Sequence, residues 1–370
     1  MDNSKRILVA PLNWGLGHAT RCIPLINALL QSGFVPVIAS DGLALALLQK
    51  EFPGLTSVIL PSYNITYAKK GKNFKLKMIW DSPKMLKAIR REKKETKALV
   101  RSLKIGGIIS DNRLGVYSKK VPCVFITHQL NVLTGNTTWM SSKVHQKIIK
   151  KFAECWIPDV AGTPNLSGKL GHLKKTNLRI KYIGPLSRFK RTNLSIVYDL
   201  MILLSGPEPQ RTILENKITA QLKEYSGRVL FVRGVVEDDI KSKTEISEKL
   251  VVTTYNYMKS AELQKALEES NMILCRSGYT TIMDLAKLEK PAFFIPTPGQ
   301  YEQEYLAKRL HKMRMVPYSG QNQFTIGMLN SVGQFKGLKS FGPELNYESL
   351  FSVFSRVKEN SEPTSTTLST

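Results

Sequence analysis

The sequence predicts an α/β chain built as two doubly wound halves in tandem, and three observations carry that expectation. Short apolar runs rich in β-branched residues alternate with helix-period segments from end to end, the pattern of parallel strands covered by helices. At 370 residues the chain exceeds what one hydrophobic core serves, and its 42% hydrophobic content can fill two. The alternation also stops and restarts across the basic connector Arg188 to Asn193.

In the first half, residues 1–190, Lys5 to Pro11 (KRILVAP) reads as the opening strand. Cys22, Ile26, Leu29 and Leu30 share one helical face, and Gly33 ends that helix. Val35 to Ser40, Ile105 to Ser110, Val121 to Thr127 and Cys155 to Pro158 read as further buried strands. The second half, residues 195–340, opens with Ser195 to Ser205 (SIVYDLMILLS). Arg228 to Arg233, Leu250 to Thr254, Met272 to Cys275 and Ala292 to Ile295 are its later strands. A final helix is expected over Tyr347 to Glu359, within residues 341–360, and the polar tail 361–370 is expected to be disordered. Two Rossmann-like halves face a cleft at the carboxyl ends of their strands, so function is sought in the loops that follow strands.

The charge balance, 54 Lys and Arg against 29 Asp and Glu, points to partners that carry negative charge. From Lys69 to Lys97 basic residues are interleaved with Phe74, Met78, Ile79, Trp80, Met85 and Leu86. That stretch suits an anionic membrane surface, and reads equally as a solvated, charge-rich helix. No recognition motif accompanies the charge, so no nucleic acid is expected. Cys22, Cys123, Cys155 and Cys275 form no C-x-x-C pair and are expected to be buried free thiols in a reducing compartment. There is no signal-peptide pattern after Met1 and no apolar run of membrane-spanning length. The expectation is a cytoplasmic protein, peripheral at most on the inner face of the membrane. His145 and His172 lack ligand-spaced partners and Glu237-Asp238-Asp239 reads as a solvated turn, so neither metal nor cofactor is expected.

Directly after the first strand comes Asn13-Trp14-Gly15-Leu16-Gly17-His18, leading into a helix. Gly15 and Gly17 let backbone approach a ligand, and the amides at a helix start favour an anionic or strongly polar group. The third glycine of a dinucleotide fingerprint is missing, which disfavours NAD. His18 has the pKa range to take a proton from an attacking hydroxyl; packing at the helix start is the other reading. Asp111, in the turn Ser110-Asp111-Asn112-Arg113 after a strand, can orient His18, act as base itself, or only brace its own turn.

The stretch from Asn271 to Ala307 is the most informative. Gly278 permits a tight turn after a strand, and Thr280 or Thr281 can cap the helix whose exposed amides would hold a diphosphate and the charge that develops as it departs. Asp284 can accept both ribose hydroxyls, or only complement the helix dipole. After the turn Pro296-Thr297-Pro298-Gly299, Gln303 and Glu304 can hydrogen-bond sugar hydroxyls.

At these residues the chain resembles the GT-B glycosyltransferases of family 28. The resemblance implies an α/β GT-B fold, two Rossmann-like domains facing a central cleft, and a metal-independent inverting hexosyltransferase. Gly15-Leu16-Gly17-His18 matches the family's N-terminal glycine loop, and Arg276-Ser277-Gly278 through Thr281 to Asp284 its nucleotide segment. Gln303 matches its donor-sugar glutamine, and Tyr257-Met258 the segment whose backbone reads uracil. His128-Gln129-Leu130-Asn131 is similar to an acceptor-site run, with the glutamate missing; with Asn13, Gly15, Gly17 and Arg21 it gives the expected acceptor side. Where the family has a second glycine-rich loop, this chain has Ser205 to Arg211 with two prolines, so Arg211 or Arg233 is expected to substitute as a diphosphate donor. His18-Ala19-Thr20-Arg21 also resembles a nucleotide-sugar hydrolase of pseudaminic acid synthesis.

The expected reaction moves a hexosyl or N-acetylhexosaminyl group from a nucleotide-diphosphate sugar, UDP-linked, to a hydroxyl acceptor in cell-envelope polysaccharide or glycolipid synthesis; a lipid-linked acceptor is one option, and the acceptor-side loops do not identify it. Hydrolysis of the nucleotide sugar is the rival reaction. A non-catalytic basic protein that keeps the scaffold to bind membrane or nucleic acid is the rival of another class.

Overall fold

The computed structural model describes residues 5–63, 74–133, 138–235, 242–246, 249–339 and 345–355. The first half runs β1 (Arg6–Pro11), α1 (Gly17–Gln31), β2 (Val35–Ser40), α2 (Gly42–Glu51), β3 (Ser57–Ile59), α3 (Phe74–Ser102), β4 (Gly107–Asp111), β5 (Cys123–Ile126), α4 (Thr138–Ile149), β6 (Glu154–Ile157) and β7 (Ile180–Tyr182). Its sheet has the order β3-β2-β1-β4-β5-β6-β7, parallel at every pairing. β1 and β2 are buried along five of their six residues, because a parallel sheet covered on both faces needs continuous apolar runs.

The second half runs β8 (Leu200–Leu203), α5 (Gln210–Gln221), β9 (Gly227–Val232), β10 (Ser242–Ile246), β11 (Leu250–Tyr255), α6 (Ser260–Glu268), β12 (Ile273–Cys275), α7 (Tyr279–Leu288), β13 (Ala292–Phe294), α8 (Tyr301–Lys312) and α9 (Tyr347–Ser355). Its sheet order is β10-β11-β9-β8-β12-β13, with β10 antiparallel to β11. In each sheet the strand order reverses beside the first strand, between β1 and β4 and between β8 and β12. Ligand crevices of open sheets form at such points, which puts the glycine loop, Asp111 and Gly278 at them.

One packed cluster crosses from half to half. It joins Leu25, Ile26 and Leu29 of α1, Ile282 and Leu285 of α7, Leu306 of α8, and Phe351 and Phe354 of α9. α9 is the last of the described elements, yet it sits on the first half, with Phe351 edge-on to Phe34 at 5.9 Å and Phe354 at 6.3 Å from Trp156.

Several expectations need correcting. The strand expected over Ser195 to Ser205 is only Leu200–Leu203, with Tyr198 adding an isolated bridge to Ser270. β3, β7 and β10 were not anticipated: two are three residues long, and β10 (SKTEI) is a mostly polar edge strand. The final helix is described only to Ser355; the rest of Tyr347 to Glu359, the tail 361–370, residues 69–73 of the basic segment and Glu237-Asp238-Asp239 lie outside the described residues. Among the described residues no helix is long and apolar enough to cross a membrane. All four cysteines are buried and free.

Candidate active site

The glycine loop leaves β1 and passes Gly15 at φ 75°, a left-handed conformation that favours glycine, before α1 begins. His18 and Arg21 are one helical turn apart and so share a face. Asp111 ends β4, which pairs directly with β1 in the register Pro11↔Asp111. That register carries the carboxylate to both side chains. Arg21 donates Nε to Asp111 Oδ2 at 2.5 Å and Nη2 to Oδ1, a two-point grip. His18 Nδ1 lies 2.9 Å from Asp111 Oδ1, which leaves Nε2 as the ring nitrogen for an incoming hydroxyl.

Electrostatics separates the two base candidates. Burial alone would raise the Asp111 carboxyl, but the Arg21 guanidinium and His18 overcome it and hold the group well below the usual carboxylate range. Burial lowers the His18 imidazole; Asp111 pulls it back up and Arg21 pushes it down, for a net lowering. His18 is therefore neutral near pH 7 and able to accept a proton, whereas Asp111 is committed to its ion pair.

Across the cleft, Gly278 precedes α7 in an extended conformation and no side chain caps the helix. The α7 start abuts the α1 start: the Thr280 hydroxyl donates to Gly17 O at 3.1 Å, and a Cβ on Gly17 would stand 2.9 Å from that hydroxyl. Asp284 is buried further along α7 and accepts from the Ser187 hydroxyl at 2.6 Å. Burial pushes its carboxyl up to about 6 against the pull of Arg188 and Ser187. Tyr257 is half-buried and Met258 is buried beside α6. The Ser277 hydroxyl donates to Gln303 O at 2.8 Å, and Thr281 stands one residue beyond Thr280.

Some expected ligand groups are otherwise engaged. Arg276 is buried and donates to Ile295 O, Pro296 O and Gln210 O, which ties loops together from beneath instead of offering its fork to the cleft. Arg211 and Arg233 do not stand free for a diphosphate: both clamp Glu215, at 2.5 Å each, and Arg211 also takes Glu208. Glu215 and Glu208 together balance the charge of the two arginines expected to replace the missing glycine-rich loop. Gln303 accepts from Thr297 N at 2.9 Å and Glu304 from Gly299 N at 2.9 Å, so both brace the turn before α8. Asn13 donates to Asp41 Oδ2, and Asn131 donates to Lys169 O. His128 is enclosed: Arg21 Nη1 lies 3.1 Å from its Nδ1, Glu302 lies 2.8 Å from its Nε2, and its ring stacks on Tyr279 at 4.1 Å with the planes 5° apart.

Glu302 and Tyr279 are the residues that sequence reasoning missed. Glu302 reaches from α8 to His128 and to Gln129, and the Tyr279 hydroxyl donates to Pro158 O at 2.8 Å. Helical phase was the available signal. Glu302, Tyr305 and Arg309 share one stripe of α8, and all three touch the first half: Tyr305 Oη accepts from Lys169 N at 2.9 Å, and Arg309 donates to Asn165 Oδ1 at 3.0 Å.

Comparison with known proteins bears on the fold and on the second half of the chain. Residues 210–334 match the glycosyltransferase family 28 C-terminal domain. The chain is 27% identical over 244 residues to the UDP-N-acetylglucosamine–N-acetylmuramyl-(pentapeptide) pyrophosphoryl-undecaprenol N-acetylglucosamine transferase of Buchnera aphidicola, spanning 63% of this chain and 64% of that protein, just under two thirds of its length. An uncharacterized glycosyltransferase of Methanosarcina acetivorans is 23% identical over 85% of this chain and 86% of its own. The crystal structure of Acinetobacter baumannii MurG superposes with a TM-score of 0.55 at 12% identity, covering 97% of this chain and 96% of that one, and so shares the fold. With two switch-point crevices at the meeting of its halves and solved glycosyltransferases superposing along nearly its whole length, the chain has the GT-B architecture, and its second half is similar to the glycosyltransferase family 28 C-terminal domain.

Proposed function

We propose that the protein is a metal-independent, inverting glycosyltransferase that takes a hexosyl or N-acetylhexosaminyl group from a UDP-sugar. The observation that carries this reading is the meeting of the His18–Asp111–Arg21 cluster with the start of α7, joined by the Thr280 to Gly17 hydrogen bond. A diphosphate on the α7 amides lies within reach of a hydroxyl held by His18. His18 Nε2 takes the hydroxyl proton, the hydroxyl oxygen bonds to the anomeric carbon, and the bond from that carbon to the diphosphate oxygen breaks with its electron pair on the nucleotide. Arg21 keeps Asp111 ionised, and Asp111 stabilises the imidazolium that forms. The α7 amides and helix dipole stabilise the departing charge. Asp284 accepts the ribose hydroxyls once Ser187 gives way, Tyr257 and Met258 flank the base, and Gln303 with Glu304 lies on the sugar side.

The acceptor is proposed to be lipid-linked and met at an anionic membrane surface. In support, α4 exposes Trp139, Met140 and Val144 at 73%, 59% and 58%, with Lys143 over the Trp139 ring, and Lys87, Lys93, Lys94 and Lys97 of α3 are exposed. Hydrolysis of the nucleotide sugar is kept as the second reading because His128, a residue of the acceptor side, is walled in by Tyr279, Arg21 and Glu302. That enclosure leaves less room beside His18 and favours a small acceptor. The test is to incubate purified protein with a UDP-sugar panel and lipid extracts and to follow UDP and free sugar. UDP release that requires the lipid supports transfer, equal release of UDP and free sugar without lipid supports hydrolysis, and no release with any donor sinks both.

A further inference from the structure

Behind the glycine loop lies a second charged cluster that this reaction leaves unused. Arg113 is fully buried, and so is Glu92, an inward-facing carboxylate on the lysine-rich α3. Arg113 donates Nε to Glu92 Oε1 at 2.5 Å, Nη1 to Asp41 Oδ1 at 2.7 Å and Nη2 to Pro61 O at 2.7 Å. The other oxygen of Glu92 accepts from the Tyr63 hydroxyl at 2.5 Å and from Gly115 N at 2.8 Å. The other oxygen of Asp41 accepts from Asn13 Nδ2 at 3.1 Å, and Asn13 lies in the glycine loop. One guanidinium thus gathers the turn after β2, the exit of β3, α3 and the turn after β4.

Arg113 is two residues past Asp111. Between them Asn112 sits at φ 55°, a left-handed conformation that asparagine tolerates, so one tight turn supplies a carboxylate to the His18 cluster and a guanidinium to this one. Burying ions is costly, and an apolar filling of the same volume is often as stable. What a planar five-donor fork adds is direction. We infer that Arg113 is a positioning residue: through Asp41 and Asn13 it sets the register of the glycine loop, and through its own turn it sets Asp111, so that both sides of the His18 seat are fixed from one group. Glu92 ties α3, the basic helix, to the same point.

The inference rests on His18 being the base, but its readout need not. The charged and titratable groups that face His18 are Asp111 from β4, Arg21 from α1, His128 after β5 and, beyond it, Glu302 from α8. Burial is the largest influence on the imidazole, so a loosened loop that admits water moves its titration up toward the ordinary histidine range. The test uses the full chain with Arg113→Lys and Glu92→Gln, labelled at its five histidines, the His18 signal being assigned by its loss in His18→Gln. The expected result is an upward move of the His18 titration and a kcat lower by about 10- to 100-fold. Affinity for UDP should stay within about 2-fold, because the nucleotide side is built from the other half. Lysine keeps the charge and loses the fork, so a merely electrostatic role predicts rescue by Arg113→Lys and positioning predicts none. A His18 titration that stays put or falls in a variant that binds UDP normally overturns the inference. Should Arg113→Lys not fold, Asp41→Asn, which removes one bond of the relay, is read in the same way. A wild-type protein that turns over no UDP-sugar defeats the proposed reaction, and the titration still decides this one.

Discussion

His18 and Asp111 are each plausible bases by residue type, and their surroundings distinguish them. A carboxylate gripped at two points by a buried arginine is a poor proton acceptor, while an imidazole kept neutral by burial is a good one. His18→Ala is expected to lower kcat by about 10²- to 10⁴-fold, the usual worth of a positioned base, with UDP binding retained. Since only the neutral ring accepts a proton and its pKa lies below the usual 6.5, activity should hold at neutral pH and fall on an acid limb below 6.5, measured as kcat against pH. Burial holds the Asp284 carboxyl above the usual carboxylate range, at about 6, and in the proposed site it must be ionised to accept ribose hydroxyls. Donor KM should therefore rise as pH falls through about 6. Because burial raises this carboxyl above its unfolded value, the folded chain gives up stability as pH rises through that range. Asp284→Asn is accordingly expected to raise the melting temperature at pH 8 by an amount worth of order 1–3 kcal/mol while weakening UDP binding. A variant that loses both stability and affinity would show that the ionised carboxylate is needed for folding.

At the level of elements, the site is the meeting of two helix starts, and glycine is what lets them meet. Gly17 leaves room for the Thr280 hydroxyl, so Gly17→Ala is expected to push α7 away and lower kcat by about 10-fold. Gly17→Ala/Thr280→Ala should be no slower than Gly17→Ala alone, because the crowding partner is gone; kcat for the four members of the cycle measures that coupling, and simple additivity would exclude it. These elements were legible in the sequence because buried parallel strands are continuous apolar runs and glycines punctuate the loops after them. β3, β7 and β10 escaped notice because three residues carry no period and a polar edge strand resembles a loop. The engagement of Arg211, Arg233 and Arg276 escaped for another reason. Glu215, which engages the first two, lies in an ordinary amphipathic helix, and the carbonyls that occupy Arg276 carry no side-chain signature. Glu302 lies on a legible stripe of α8, but its partner His128 is 174 residues away in sequence, and no local pattern reports that pairing.

For the whole molecule, the question is how rigidly two halves that must admit a donor are held. One apolar cluster spans both, α8 reaches across with Glu302, Tyr305 and Arg309, and the chain returns to the first half through α9. Phe354 carries much of that return: it is buried against Trp156, and the Cβ position on Gly107 is filled by its ring. Phe354→Ala removes a large buried ring and should cost about 3–5 kcal/mol. The loss falls on the first half, whereas the proposed UDP site lies in the second, which bound UDP would stabilise by roughly 2.7 kcal/mol at a hundredfold excess over Kd. With α9 intact the shared cluster makes the halves unfold together, so calorimetry of the wild type should show one transition that moves up with UDP. In Phe354→Ala the first half should melt earlier and separately, and only the later transition should respond to UDP. A single transition that is merely lowered, and that UDP still moves as a whole, would mean that the α8 contacts alone couple the halves and that α9 is a brace for the first half only.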